Sequence, residues 1–196
     1  LAQNGEDGFF ATEEEVLPAI RRDTLLFIVD THSANFVESR KVYEACKRVV
    51  VIDHHRKVVD YIENPLISYH EPYASSASEM VTELVQYFPG CKLTTCDAEA
   101  LMSGIMLDTK NFIMKTGVRT FEAAAYLRRM GADTVAVKKL FSDTLDTYKQ
   151  KAQLVSGAEI YKGCAIATSS QDHGDQRIAA AQAADELLSI LGGKAS

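Results

Sequence analysis

The sequence predicts an α/β fold: a parallel sheet flanked by helices, then a linker helix and the start of a second α/β domain. Two short apolar runs carry this reading. Leu25–Val29 ends on Asp30 and Val49–Ile52 ends on Asp53, and continuous runs of this length suit buried parallel strands. Between them, residues 35–46 have helical spacing, with Phe36, Val37, Val42, Tyr43 and Cys46 as inward positions. Together they make a βαβ unit. In open α/β sheets, sites gather beyond the carboxyl ends of the strands, which is where both acids fall.

Later elements follow in order. Leu66–Tyr69 predicts a third strand, with Pro65 before it and Pro72 closing it off. A helix is expected over 75–88, capped by Ser75 or Ser76, with Met80, Val81, Leu84, Val85 and Phe88 as its apolar stripe. Pro89-Gly90 breaks the chain. Helices are expected over 97–110 and 120–130, the second stopping at Gly131, and Asp133 caps a further one whose polar continuation over 143–153 reads as a connector. After Gly157 the pattern restarts with a strand over 164–168, a polar loop over 169–175 and a helix over 177–191. One βα unit is too small to bury its own apolar face, so it reads as the opening of a second domain. The expected organisation is a first domain over 1–135, a helical linker over 136–156 and a truncated second domain over 157–196.

Composition narrows the function. The 196 residues carry 27 acidic against 21 basic side chains, a net charge of −6. Long nucleic acids are held by basic footprints that neutralise phosphates, so a long nucleic-acid partner is not expected. An acidic balance fits a small phosphate-bearing ligand handled locally. No apolar stretch approaches the roughly 20 residues needed to span a bilayer, and a membrane-embedded chain is not expected. Cys46, Cys91, Cys96 and Cys164 form no Cys-x-x-Cys pair and read as reduced thiols of a cytoplasmic protein. The chain opens on Leu1 rather than Met and reads as part of a longer one.

The sharpest chemical feature is Asp53-His54-His55 at a strand end. A carboxylate beside two imidazoles offers the donors that Mn²⁺, Fe²⁺ and Zn²⁺ accept. Asp30 closes the neighbouring strand, in Asp30-Thr31-His32, and a third apolar run, Gly104–Leu107, closes on Asp108. Each acid alone could be a cap. Three acids closing three apolar runs read better as converging ligands. His32 reads as a hydrogen-bonded histidine, behind the ligands or at the strand end, rather than a ligand itself, His70 as structural, and His173 as loop. Ser75 and Ser76 read as caps, or as phosphate contacts at a helix N-terminus. Lys110, Asn111 and Arg119 read equally as phosphate contacts or as solvated surface.

These segments resemble a known family. Val49–Arg56, with Asp53-His54-His55 inside it, is similar to the signature of the DHH phosphoesterases. Ile28-Val29-Asp30-Thr31-His32 resembles the family's preceding aspartate motif, and Gly104–Phe112 its later one. Tyr69–Ser76 and Thr116–Ala124 look like the cyclic-di-AMP phosphodiesterase branch, of GdpP type. The resemblance implies two Mn²⁺ ions, or other divalent metals, in a cleft. Asp30 would bridge them, His54 and Asp108 would bind one, His55 would touch a substrate phosphate and Asp53 would orient His54. The implied reaction is hydrolysis of cyclic di-AMP to linear pApA without a covalent enzyme intermediate. Beside His55, the candidates for a substrate contact are Ser75 and Ser76, from their place at a helix N-terminus. The resemblance leaves a homodimer open, and it places the longer parent in the cytoplasm with an anchor to the bacterial membrane.

The sequence also departs from the family. A first strand motif of His-x-Asp-x-Asp type is expected upstream of Asp30, yet residues 1–24 hold Asp7 and Asp23 but no histidine. A glycine-rich motif ending in histidine is expected near the C-terminus, and the chain stops at Ser196 without it. Two alternatives therefore stand beside the first reading: a phosphodiesterase of short oligoribonucleotides such as pApA, and a nucleotide-binding regulatory module without turnover.

Overall fold

The structure is a computed structural model that describes residues 10–142, 144–168 and 176–191. The predicted loop over 169–175, with His173, lies outside the described residues, as do Asp7 and the terminal residues 192–196. The chain divides into two compact units, Leu1–Leu140 and Phe141–Ser196.

The first unit is α/β. Its three described strands, β1 (Leu25–Val29), β2 (Arg48–Asp53) and β3 (Ile67–His70), pair in parallel in the order β1-β2-β3. Val29 pairs with Ile52 and Asp53 with His70, so the carboxyl ends of all three strands share one edge. Central β2 is buried from Val49 to Asp53. In β1, by contrast, Leu26 and Ile28 face the core while Leu25, Phe27 and Val29 are exposed. The expectation of a continuously buried β1 is corrected. Among the described strands β1 is an edge, and only one of its faces is covered.

Helix α1 (Glu13–Val16), too short for a periodic signal, starts from a Thr12/Glu15 capping box and runs into a 3₁₀ turn at Leu17–Ala19. Helix α2 spans only Arg40–Ala45 of the expected 35–46. Ser33 and Asn35 both reach Asp60 and hold residues 33–36 in a turn, so the helix begins after Ser39, whose hydroxyl accepts from Val42 N. Val37 and Tyr43 pack inward, but Phe36 is 78% exposed on that turn and is no core residue.

Helix α3 (Ala77–Val85) packs Met80, Val81 and Leu84 on Val50 and Ile52 of β2. Phe88, expected in its stripe, lies past the helix end and is exposed. Helix α4 (Thr95–Asp108) starts earlier than expected, from a Thr94/Asp97 capping box. With α5 (Val118–Arg129) and α6 (Thr134–Leu140) it closes a second core around Met102, Ile105, Leu127 and Val137. Gly131 stops α5 at φ +105, a conformation glycine adopts without steric cost, and Asp133 Oδ1 accepts from Val135 N at the start of α6.

In the second unit, α7 (Leu145–Ser156), read from sequence as a connector, packs along α8 (Gln176–Leu191). A strand the sequence reading lacks, β4 (Glu159–Tyr161), pairs antiparallel with β5 (Cys164–Ile166). Their two-residue turn, Lys162-Gly163, has φ +50 and +83, as a tight hairpin requires. Ala179, Ala183 and Leu187 form the buried stripe of α8.

Candidate functional site

Three elements deliver the site. Asp30 follows β1 directly, Asp53 ends β2 with His54 and His55 after it, and Asp108 ends α4. Asp30 adopts φ +66, a left-handed conformation that costs a non-glycine residue about 1 kcal/mol or more. Its amide still donates to Ile52 O at 3.0 Å, so the sheet holds it in place.

Asp30, His54 and Asp108 come together although 78 residues separate the first from the last. His54 Nε2 lies 3.4 Å from Asp30 Oδ1 and 3.4 Å from Asp108 Oδ2. The alignment makes neither a hydrogen bond, and this buried nitrogen has no partner among the described residues. Burial pushes the Asp108 carboxyl above its usual range; His54 pulls it down and Asp30 pushes it up again, and the net direction is upward.

Asp53 is wholly buried and plays a different part. Its Oδ1 accepts from His54 N at 2.9 Å, from His55 N at 3.3 Å and from His55 Nδ1 at 2.8 Å, while Oδ2 accepts from His32 Nδ1. Burial works to raise its pKa, but the bonds from His32 and His55 outweigh it and hold the carboxyl below its ordinary value. His70 Nε2 donates to His55 O at 2.6 Å, and its ring meets that of His32 edge-on with centroids 5.2 Å apart. His32 was read from sequence as a hydrogen-bonded histidine behind the ligands or at the strand end, though not as the partner of Asp53, and the place of His70 was not legible. The signal for His32 was the triplet Asp30-Thr31-His32.

Among the described residues two sets of side chains have the spacing to hold a cation: Asp30, His54 and His55, and His32, Asp53 and His70. The second set is a hydrogen-bond network. Both His32 nitrogens are engaged, Nδ1 with Asp53 and Nε2 accepting from Val58 N at 3.0 Å, and His70 Nε2 is held by a carbonyl. The first set suits a metal better once Asp108 is added. A buried, unpaired imidazole nitrogen faces two carboxylate oxygens at 3.4 Å each, a donor set of the kind divalent metals accept. His55 turns Nδ1 to Asp53 and is half-exposed, which leaves Nε2 for a ligand in the solvent.

The remaining residues read from sequence are placed as follows. Ser76 is the N-cap of α3 and accepts from Glu79 N at 3.0 Å, and Ser75 Oγ donates to Glu79 Oε2 at 2.5 Å. Both serines are about 1% exposed, so their hydroxyls serve the cap and do not reach a ligand in this conformation. Arg119 forks onto Glu83 at 2.6 and 2.7 Å and reaches Tyr69 Oη at 3.3 Å, a clamp from α5 to α3 and β3 that raises its pKa further. Lys110, Asn111 and Phe112 take successive positive φ values in the turn after Asp108. An open cleft of about 1270 Å³ runs beside β1 past Asp30, His32, His55 and Arg56. His54 and Asp108 are not in its lining, so the cleft flanks the site.

Comparison with known proteins adds the following. The family described as "DHH family, N-terminal domain" matches residues 4–105. The chain is 46% identical over 186 residues to the cyclic-di-AMP phosphodiesterase GdpP of Bacillus subtilis (strain 168), covering 92% of this chain and 28% of that protein. It is 43% identical over 187 residues to the cyclic-di-AMP phosphodiesterase PdeA of Listeria monocytogenes serotype 1/2a (strain 10403S), covering 94% and 28%. The chain thus spans 28% of the length of these curated relatives. The crystal structure of an exopolyphosphatase-related protein from Bacteroides fragilis superposes with a TM-score of 0.62 at 21% identity, over 71% of this chain and 42% of that one, and supports the fold.

Proposed function

The chain belongs to the DHH family, and from that premise we propose that it is part of a metal-dependent phosphodiesterase that hydrolyses cyclic di-AMP to linear pApA. One observation carries the chemistry: the unpaired His54 Nε2 set between the Asp30 and Asp108 carboxylates. The names of the B. subtilis and L. monocytogenes relatives carry the substrate.

Asp30, His54 and Asp108 would hold a divalent metal, Mn²⁺ first among the candidates, and Asp30 is the carboxylate that two ions would share. Bound there, divalent ions supply positive charge to the phosphate oxygens and make a coordinated water acidic. Asp53 fixes the turn that aims His54, through the two amides it accepts. His55, its Nδ1–H anchored on Asp53, offers Nε2 to a substrate phosphate. Water adds to phosphorus, the bond to the 3′ oxygen breaks, and a proton passes to that oxygen to leave a 3′-hydroxyl and a 5′-phosphate. Ser75 and Ser76 contribute by building the α3 N-terminus beside β3.

The partner in this reading is a small cyclic or linear dinucleotide. Among the described residues no helix is long and apolar enough to cross a membrane. The four free cysteines fit a reducing, cytoplasmic setting, and a membrane anchor, like a homodimer, belongs to the longer protein as part of the same proposal. The test is turnover by the longer parent of cyclic di-AMP, pApA and a short oligoribonucleotide, with Mn²⁺ and with EDTA. Preference for cyclic di-AMP that EDTA removes is the expected result. Preference for pApA or RNA would reassign the substrate, and unchanged turnover in EDTA would overturn the metal mechanism.

A further inference from the structure

We infer that His32 is a positioning residue that aims His54 by locking the Asp53 carboxylate. The inference rests on the metal site proposed above, to which it adds a residue that touches none of the reacting groups.

The hydrogen bonds leave His32 one role. Its Nε2 accepts from Val58 N at 3.0 Å, so that nitrogen carries a lone pair and the ring proton sits on Nδ1. Nδ1–H then points at Asp53 Oδ2. The other oxygen, Oδ1, takes the amides of His54 and His55 and the His55 ring. A carboxylate pinned at one oxygen cannot swing about its own axis, so the amides gathered at the other stay where they are. His54 then leaves the strand end in the one direction that sets Nε2 between Asp30 and Asp108. His70 braces the same turn from the other side, edge-on to the His32 ring and bonded to His55 O. Without His32, Asp53 Oδ2 would be a buried anionic oxygen lacking its donor, and the carboxylate would turn to find another.

A purely structural alternative exists. His32 also fastens the loop after His55, through Val58 N to its ring and Ile62 N to its carbonyl at 2.8 Å. The two roles use different ring nitrogens and can be separated. An asparagine amide occupies the place of Nδ1 and can still donate to Asp53. A glutamine amide reaches the place of Nε2 and can still accept from Val58.

The experiment compares the 196-residue chain with its His32→Asn and His32→Gln variants by amide hydrogen exchange, followed by Mn²⁺ titration. Positioning through Asp53 predicts that His32→Gln speeds exchange at the His54 and His55 amides about tenfold or more and weakens Mn²⁺ binding by at least about tenfold, the range for lost support of a metal ligand. His32→Asn should stay within about threefold on both. The reverse pattern, or equal behaviour of the two variants, overturns the proposal. On the unaltered chain, nitrogen NMR of the His32 ring must find the proton on Nδ1, and a proton on Nε2 overturns it with no variant needed. Should the unaltered chain take up no Mn²⁺, the metal reading of the site falls, while exchange and ring NMR still decide the role of His32.

Discussion

A buried imidazole nitrogen with no hydrogen bond costs a fold about 1–3 kcal/mol. His54 Nε2 sits in that position, facing the Asp30 and Asp108 carboxylates, and burial pushes the second of these above its usual range. Such an arrangement makes sense if a cation completes it, and the roles of the neighbours then differ sharply. If Asp30 is shared by two ions as proposed, Asp30→Ala in the longer parent should abolish turnover, because its loss would remove nucleophile activation and charge stabilisation together. His55→Ala should raise KM severalfold and leave kcat within about tenfold, since its free nitrogen reaches only toward substrate. Steady-state kinetics with Mn²⁺ checks both, and near-parent activity in Asp30→Ala would sink the bridging role. Asp30, Asp53 and Asp108 were legible as candidates because each closes an apolar run. The bond from His32 to Asp53 was not, since it joins residues 21 positions apart and depends on strand register.

Helices α3 and α4 bring the site's two halves together, and they cross closely at Gly104. A Cβ there would stand 2.1 Å from Ser78 Oγ and 3.0 Å from Ser78 Cβ. The hydroxyl can rotate away, but the Cβ moves only with its helix. Gly104→Ala should therefore cost about 1–3 kcal/mol by overpacking, against up to about 1 kcal/mol gained in helix propensity. A net loss is expected, read as a lower urea midpoint for the first unit, and a raised midpoint would show that the helices can separate freely. Ser76→Ala should cost about 1 kcal/mol on the same measurement, because it leaves Glu79 N without its cap. Helix α3, whose stripe of Met80, Val81 and Leu84 packs on β2, was readable from spacing within a few residues. The late start of α2 was not: Ser33 and Asn35 reach Asp60 across 27 and 25 positions, and such side-chain bonds compete with helix invisibly to periodicity. Strand β4 has three exposed residues and so no burial pattern to read, though the Lys162-Gly163 turn was a usable hairpin signal.

At the scale of the whole molecule, charge and ligand count decide what this chain can do alone. With a net charge of −6 and the Asp30 and Asp108 carboxylates gathered at His54, the chain has much to offer a divalent cation. The described residues bring together Asp30, His54 and Asp108, with His55 beside them. Three protein donors can recruit one ion. Hard divalent metals favour about six donors, so water would fill the remaining positions and the affinity should be modest. A second ion would share Asp30 and find little else among these residues. The chain also spans only 28% of the length of its curated relatives. The 196-residue chain should therefore bind one Mn²⁺ weakly and convert cyclic di-AMP to pApA far more slowly than the longer parent. Calorimetric Mn²⁺ titration beside a chromatographic assay for pApA measures both. Two tight sites with rapid product formation would refute the ligand count and direct the search for the missing donors to residues outside the described ones, or to a second copy of the chain.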